Sequence, residues 1–215
     1  MMLGSSRFKD RTEAGEKLGE TLRDRRVDAD LVLAIPRGGL PIGRAVADVL
    51  GVPLDIVVAQ KIGAPGNPEY AIGAVASDGT VWRNEDAFVG NRIDEEYFET
   101  QREAKAETAR EKAARYRGDR PDPTLLGKTV VVVDDGVATG STIKACLQTL
   151  RETAVERIVV AVPVGPQETI QGLEEMADEV VCLDTPRDFR GVGQFYERFD
   201  QVSDEEAIAY LDAES

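Results

Sequence analysis

The sequence predicts an α/β fold in which a doubly wound, mostly parallel sheet is flanked by helices. Short apolar runs rich in β-branched residues alternate with charged segments of helical length along most of the chain. This alternation is typical of parallel strands joined by right-handed helical crossovers. The run Thr129–Val133 ends in four consecutive valines with no polar residue between them, which indicates a strand buried on both faces.

The length of 215 residues predicts one domain, spanning residues 8–215, with a single core. Hydrophobic residues make up 42% of the chain and charged residues 31%, which is a globular composition rather than a disordered one. No apolar run approaches the roughly 20 residues that a membrane-spanning helix needs. Residues 1–7 also lack the apolar stretch of a secretory signal. We therefore expect a cytoplasmic protein that does not contact a membrane.

The chain is strongly acidic, with 40 Asp and Glu against 26 Lys and Arg and a net charge of −14. Only 7 of the basic residues are lysine. This composition predicts a halophilic protein adapted to a saline cytoplasm, and an ordinary acidic bacterial protein is the alternative. Because the basic residues are interleaved with acids, no clustered basic face is expected, which argues against nucleic acid as a partner.

Residues 11–26 form the first predicted helix, which Asp10 caps and which buries Ala14, Leu18 and Leu22 as one stripe. This helix is expected to provide packing and no chemistry. Further buried strands are predicted from apolar and β-branched runs at residues 30–35, 54–62, 157–164 and 179–183. Further helices are predicted at residues 41–50, 143–152 and 167–176.

Three segments lie outside this alternation. Residues 70–76 and 80–83 are short strands around Asp78-Gly79, which predicts a hairpin. Residues 93–117 predict one long, solvated helix that leans either on the domain or on a partner subunit in a homodimer. Residues 184–200 follow the last strand and are expected to form a small hood over the sheet edge. Five residues of the tail are expected to pack together in the core: Phe195, Tyr196, Ala207, Tyr210 and Leu211.

The main candidate site follows the valine strand, where Asp134 and Asp135 lie at its carboxyl end. Ligands of open α/β sheets bind at this edge, and the following turn offers backbone N–H groups at the start of a helix near Ser141 or Thr142. Paired carboxylates suit two sugar hydroxyls, and the amides suit a phosphate. The turn residues expected to bind the phosphate are Gly136, Val137, Ala138, Thr139, Gly140, Ser141 and Thr142. The alternative is an ordinary strand followed by an Asp-rich turn.

A second candidate anion loop is formed by Pro36, Arg37, Gly38 and Gly39, between a predicted strand and a predicted helix. It places a guanidinium and two unhindered backbone amides at the same edge of the sheet as Asp134. The alternative is a plain strand-to-helix turn with a surface arginine.

The stretch 129–142 resembles the phosphoribosyl-pyrophosphate-binding motif of type I phosphoribosyltransferases, which has a hydrophobic strand, two acids and a turn ending Thr-Gly-Ser-Thr. The resemblance covers residues 8–199. It is closest to a little-characterised branch with a Lys-x-Gly-x-Pro-Gly loop followed by Ala-x-Gly-Ala, here residues 61–66 and 71–74. The resemblance implies a nucleotide-salvage enzyme in which a nucleobase displaces pyrophosphate from phosphoribosyl pyrophosphate, with Mg²⁺ as the cofactor.

The resemblance also implies roles for individual residues. Asp134 and Asp135 would bind the ribose and the Mg²⁺ of the bound donor. Arg37 and Gly38 would form the strained, often cis, peptide of a pyrophosphate loop that includes Gly39. Lys61, at the far end of the strand 54–62, would face the pyrophosphate, and residues 63–69 would form a mobile lid.

The acceptor is expected to lie beneath the hood. By the resemblance, Phe189 would stack on the base, with Arg190 beside it. Ala138 stands where members that act on hypoxanthine or guanine have an acid, which weakens a 6-oxopurine assignment.

Two other functions share this type of sheet. A non-catalytic regulator that senses phosphoribosyl pyrophosphate remains an alternative, although the DNA-binding version would need a helix-turn-helix or a basic extension. A sugar-phosphate hydrolase would need a nucleophilic Asp-x-Asp or a histidine, and the chain has no histidine. Its two cysteines, Cys146 and Cys182, form no familiar zinc site.

Overall fold

Five strands form a parallel sheet and three form an antiparallel sheet in the computed structural model, which describes residues 8–91 and 93–213. In chain order the strands are β1 Leu31–Ala34, β2 Leu54–Ile56, β3 Ala59–Ala64, β4 Asn67–Ala76, β5 Val81–Arg83, β6 Thr129–Val133, β7 Arg157–Val164 and β8 Glu179–Asp184. The helices are α1 Arg11–Asp24, α2 Gly39–Leu50, α3 Glu85–Asn91, α4 Glu95–Arg117, α5 Ser141–Arg151, α6 Gln167–Glu174 and α7 Asp204–Asp212. The predicted α/β fold is confirmed.

The parallel sheet has the strand order β2-β1-β6-β7-β8. The chain moves from β1 to β2 on one side and later places β6 on the other side of β1, so the order reverses between β1 and β6. Ala34 at the end of β1 is in register with Val133 at the end of β6. Ligands of open α/β sheets bind at the carboxyl ends of strands that flank such a reversal. The topology therefore places the loops after Ala34 and Val133 side by side.

Strand β6 is buried on both faces, as its sequence predicted. Val131 and Val133 pack against residues of α1 and α2, whereas Val130 and Val132 pack against residues of α5. β6 is also the middle strand, with backbone partners on both sides in β1 and β7. The residues that follow it are therefore anchored by a central strand that is buried on both faces.

The predicted strand 54–62 is wrong as a single element. β2 pairs with β1 in the parallel sheet, but β3 pairs with β4 in the antiparallel sheet, so the chain changes sheets between them. Val57 and Val58 at the break are buried like the strand residues on either side, so the apolar run conceals the change of partner. The predicted lid 63–69 is the tip of the β3–β4 hairpin, with its turn at Pro65-Gly66. The predicted hairpin around Asp78-Gly79 is present as β4 and β5.

Helix α4 begins slightly later than its charge pattern predicted. Asp94 accepts a hydrogen bond from the N–H of Glu96 at 3.1 Å and so fixes the first residue as Glu95. Phe98 packs on the hairpin, whereas Ala113 packs in the main core, so α4 leans on its own domain along most of its length. Within the described ranges, no helix has both the length and the apolar character that a bilayer crossing requires. The short helix α3 was not predicted.

We predict that Gly15→Ala destabilises the fold by about 1 to 3 kcal/mol because it overpacks the contact between α1 and α2. A Cβ at Gly15 would lie 2.7 Å from the carbonyl oxygen of Ile42 and 2.8 Å from the Cβ of Ala45. The matched control is Gly172→Ala in α6, whose Cβ would meet only the mobile end of Lys144 at 3.2 Å. Helix propensity should make this control neutral or stabilising by up to about 1 kcal/mol. Urea unfolding of both variants tests the prediction, and equal midpoints would contradict it.

Candidate functional site

The two predicted anion loops are in direct contact at the sheet edge. A Cβ at Gly38 would lie 2.2 Å from the Oδ2 atom of Asp135. A Cβ at Gly39 would lie 2.9 Å from the carbonyl oxygen of Val133. Only glycine allows the loop after β1 to approach the end of β6 this closely, so the glycine pair and the acid pair form one structural unit.

The loop after β1 contains a cis peptide bond between Pro36 and Arg37. The family resemblance assigned this geometry to the bond between Arg37 and Gly38, which is wrong by one residue. Gly38 already has helical backbone angles, with φ −60° and ψ −31°, as the N-cap of α2. The Arg37–Gly38 bond therefore belongs to the start of the helix, and the chain turns one bond earlier.

Hydrogen bonds from separate parts of the chain hold the acid pair. The backbone N–H of Asp135 donates to Oδ1 of Asp134 at 2.8 Å. The Nε atom of Arg11 donates to Oδ2 of Asp135 at 2.9 Å, and the hydroxyl of Tyr196 donates to the carbonyl oxygen of Asp135 at 2.7 Å. The guanidinium of Arg11 also lies over the ring of Phe199, 3.8 Å from its centroid.

The sequence analysis did not predict the contacts of Arg11 and Tyr196 with Asp135. Helix α1 was expected to provide packing only, yet its first residue binds the acid pair. Tyr196 was expected in the core, and it is buried there with Phe195, Ala207 and Leu211, but its hydroxyl also holds the end of β6. No local pattern indicates either contact, because Arg11 lies 124 residues from Asp135 along the chain.

The turn from Gly136 to Thr142 leads into α5, which begins at Ser141 as expected. Gly140 has a left-handed backbone with φ 72° and is the N-cap of this helix. Ala138, Thr139 and Thr142 are exposed and so accessible to a ligand. Val137 is not, because its side chain is buried and its N–H donates to the carbonyl oxygen of Val164 at 2.9 Å. Its N–H is therefore already used within the protein, where it anchors the turn.

Lys61 lies within β3, opposite Ala74 of β4. The sequence predicted that a strand of the parallel sheet carries Lys61. The structure instead places it on the hairpin. Cross-strand partners project from the same face. Ala74 packs with residues of α5, so Lys61 lies on the face of the hairpin that is turned toward α5.

Helix α4 and helix α7 also contribute to the site, and the sequence analysis missed both. Arg37 donates to Oδ1 of Asp204, the first residue of α7, at 3.1 Å, and the hydroxyl of Tyr116 donates to the same oxygen at 3.0 Å. The hydrogen bonds from Tyr116 and then from Arg37 lower the pKa of Asp204. Lys112 of α4 lines an open cleft together with Pro36 and Arg37. The sequence did contain a signal for this side of α4. Residues 108, 112 and 116 are spaced four apart, so they share one face of a helix that the sequence analysis had treated as solvated.

The residues of the expected hood contact the end of β6 and the turn after it. Phe189 is half-buried and stacks on Phe195, with ring centroids 5.6 Å apart and an angle of 23°. Arg190 is exposed, and its backbone N–H donates to Oε1 of Gln194 at 3.1 Å. A Cβ at Gly136 would lie 2.7 Å from a methyl group of Val192, so the hood packs directly on the turn after the acids.

The phosphoribosyl transferase domain family matches residues 10–198, which is most of the chain. The chain belongs to the phosphoribosyl transferase family. A curated protein of Mycobacterium tuberculosis, named “Putative phosphoribosyl transferase Rv0571c”, is 40% identical over 205 residues, which are 95% of this chain and 46% of that protein. The chain thus spans about half the length of the curated relatives it matches.

A solved structure is similar over nearly its whole length. The crystal structure of TT1426 from Thermus thermophilus is 42% identical to this phosphoribosyl transferase domain, with a TM-score of 0.89. The match covers 95% of this chain and 97% of that chain. The fold described above is therefore that of a known relative.

The electrostatics of this sheet edge are dominated by burial of the acid pair. Burial, followed by the neighbouring charge of Asp135, raises the pKa of Asp134 well above its ordinary value. Burial also raises the pKa of Asp135, although the Arg11 guanidinium acts in the opposite direction. A cation or a hydroxyl donor that approached these carboxyl groups would stabilise their charged forms. The pair is therefore suited to a ligand that supplies such groups.

We predict that Asp134→Asn stabilises the fold at neutral pH. A carboxyl group with a raised folded-state pKa holds more protons when folded than when unfolded, so stability decreases as pH rises from about 4 through the folded pKa. The amide does not titrate, and its oxygen can still accept the hydrogen bond from Asp135. The difference in unfolding free energy between variant and wild type should thus be small near pH 4 and grow toward pH 8.

Urea unfolding at several pH values measures this difference. Asp119→Asn, at an exposed position, controls for the change in net charge. A difference for Asp134→Asn that stayed flat or declined with rising pH would contradict the predicted burial cost.

Proposed function

We propose that this chain transfers the phosphoribosyl group of Mg²⁺-phosphoribosyl pyrophosphate to a nucleobase and releases pyrophosphate. The observation that supports it is the contact between the glycine pair, Gly38 and Gly39, and the acid pair, Asp134 and Asp135, at the reversal of strand order. Two anion-binding loops and two carboxylates at one edge suit a sugar that carries a phosphate at one end and a diphosphate at the other. The proposal concerns this chain, whatever the rest of its longer relatives does.

The ribose 5-phosphate part of the donor would lie on β6 and the turn after it. Asp134 and Asp135 would accept hydrogen bonds from the two ribose hydroxyls. The phosphate would bind the exposed turn at Ala138 and Thr139 and the first residues of α5, where helix N–H groups and the helix dipole favour an anion. The same burial that raises the pKa of Asp134 would strengthen these hydrogen bonds by excluding water.

The diphosphate would lie against the cis-peptide loop. Gly38 and Gly39 leave the backbone amides of this loop unhindered, and Arg37 supplies a guanidinium. Arg37 is held by Asp204 at 3.1 Å, so a diphosphate would compete with this carboxylate for the same donor. Lys61 on the hairpin would be a further cation for the diphosphate.

The acid pair also fits the proposed Mg²⁺. The ion prefers carboxylate oxygens together with substrate phosphates and keeps several waters, so it does not need a cage of three or more protein ligands. In the part of the chain that the structure describes, no such group of three acidic, cysteine or histidine residues occurs. Asp134 and Asp135 would hold the ion jointly with the donor, and the ion would neutralise charge on the leaving pyrophosphate.

The reaction is a displacement at C1′ that the protein assists mainly by positioning. The C1′–O bond breaks and its electron pair passes to the pyrophosphate oxygen. The nitrogen lone pair of the base forms the new C1′–N bond, and the nitrogen releases its proton to solvent. No protein nucleophile is required, which suits this chain. Burial raises the pKa of Cys146 to about 12 and that of Cys182 to about 11, so neither thiol is reactive near neutral pH.

The acceptor would stack on the half-buried ring of Phe189, near Arg190 and beneath the hood. One face of Phe189 is taken by Phe195, so the base would use the other face or an edge. Ala138 provides no acid for proton exchange with a purine N7. A purine or related heterocycle that needs no such acid is therefore the proposed acceptor class.

The test of the proposed function is donor binding and turnover. We predict that Asp135→Asn weakens the binding of Mg²⁺-phosphoribosyl pyrophosphate by about 1.5 to 3 kcal/mol, the range for a hydrogen bond to a charged group. Calorimetry measures binding, and mass spectrometry with each common base measures transfer. Asp119→Asn serves as the exposed control.

Unchanged donor binding in Asp135→Asn would contradict the assignment of the ribose site. Binding by the wild type without transfer to any base would favour the regulatory alternative, a sensor of phosphoribosyl pyrophosphate.

We further predict that Phe189→Ala raises the KM for the base by about 5- to 150-fold, because stacking contributes roughly 1 to 3 kcal/mol per base. Donor affinity should stay near the wild-type value. Steady-state kinetics with the base identified above, together with donor calorimetry, separates the two effects. Lost donor affinity with an unchanged KM for the base would show that Phe189 only supports the core.

A further inference from the structure

An open cleft with a volume of about 400 Å³ separates α4 from the loop that contains the cis peptide. One wall is formed by Pro36 and Arg37, and the other by a face of α4 that includes Thr108, Lys112 and Tyr116. These three α4 residues are spaced four apart, so they project from one side of the helix. An anion bound to the cis-peptide loop would therefore face this side of α4.

Lys112 differs from the other cations near the loop in having no direct partner. Arg37 and Arg115 are paired with Asp204, and Arg11 is paired with Asp135. By contrast, Lys112 forms neither a hydrogen bond nor an ion pair with the residues that the structure describes, although it is half-buried. Burial lowers its pKa, and the charges of Asp134 and Arg37 act on it from the site. An amine that is partly removed from water without a partner carries a cost that a bound anion would offset.

We propose that Lys112 binds the diphosphate of the donor and remains in contact with the pyrophosphate as it leaves. The inference rests on the proposed function and adds a residue from α4 to it. An ammonium group has three donors and can contact oxygens of both phosphorus atoms. Negative charge grows on the pyrophosphate while the C1′–O electron pair moves to it. A cation held at that position stabilises the transition state more than the ground state.

Lys112 and Lys61 are different contributors. Lys61 belongs to the hairpin and lies on its face toward α5, whereas Lys112 lies on α4 across the cleft from Arg37. Placement on a long helix that packs in the main core fixes the backbone position of Lys112 before the ligand arrives. Tyr116, one turn further along α4, is buried and bonded to Asp204, so the helix face next to Lys112 is already ordered.

The experiment compares two substitutions. Lys112→Met keeps an unbranched side chain of similar length but removes the charge, whereas Lys112→Arg keeps the charge. Lys105→Met makes the same change two turns earlier on α4, outside the cleft, and is the matched control. Each protein is titrated by calorimetry, in the presence of Mg²⁺, with phosphoribosyl pyrophosphate, inorganic pyrophosphate and ribose 5-phosphate. Thermal unfolding is recorded for all variants.

Lys112→Met should weaken the binding of phosphoribosyl pyrophosphate and inorganic pyrophosphate by about 10- to 150-fold, and that of ribose 5-phosphate by less than about twofold. Lys112→Arg should lose less, and Lys105→Met should match the wild type.

Equal binding of the diphosphate ligands by Lys112→Met and wild type would overturn the inference while leaving the proposed function intact. Weakening of all three ligands together with a lower melting temperature would also overturn it, because it would show a structural role. A wild-type protein that binds none of the diphosphate ligands would overturn the proposed function itself.

Discussion

Burial of two adjacent carboxyl groups at the end of an apolar strand is the constraint on which the rest of this structure depends. β6 is anchored on both faces, so Asp134 and Asp135 are held at the partly buried edge of the sheet. Buried charges are costly unless they are paired and hydrogen-bonded. The chain meets this cost with groups from both ends of the sequence, since Arg11 comes from the first helix and Tyr196 from the hood.

The cationic side of the site follows the same principle of internal pairing. Arg37 is neutralised by Asp204, and Asp204 is held in turn by Tyr116. The arginine, the tyrosine and the aspartate come from three separate elements, so the C-terminal helix is part of the site's electrostatic balance. A ligand rich in negative charge would replace Asp204 on Arg37, and one rich in hydroxyl groups would bind the acids. Local pairs of this kind matter more than the remote surface carboxylates behind the net charge of −14, which salt screens over about 8 Å.

The fold and the two glycine-containing loops after β1 and β6 could be predicted because their signals are local. Consecutive valines, the alternation of strands with helices, and glycines beside acids each depend on a few neighbouring residues. The contacts of Arg11, Tyr196 and Asp204 could not be predicted, because they join residues 61 to 167 positions apart and leave no periodic trace. The change of sheet between β2 and β3 was hidden for a different reason, since Val57 and Val58 stay buried through it. Val137 shows a further limit of sequence analysis. Its position in the motif gave no sign that its N–H donates a hydrogen bond to the carbonyl oxygen of Val164.

The attachment of the hood to the acid strand has a consequence for how a ligand could enter and leave. Tyr196 bonds to the backbone of Asp135, and Val192 covers Gly136 so closely that a single added carbon would collide. An outward swing of the hood would break this bond and expose the turn that supports α5. The open cleft between α4 and the loop after β1 has no hood residue in its lining, so it lies outside this attachment. A movement that widened the site on the side of the cleft would break none of these hood contacts.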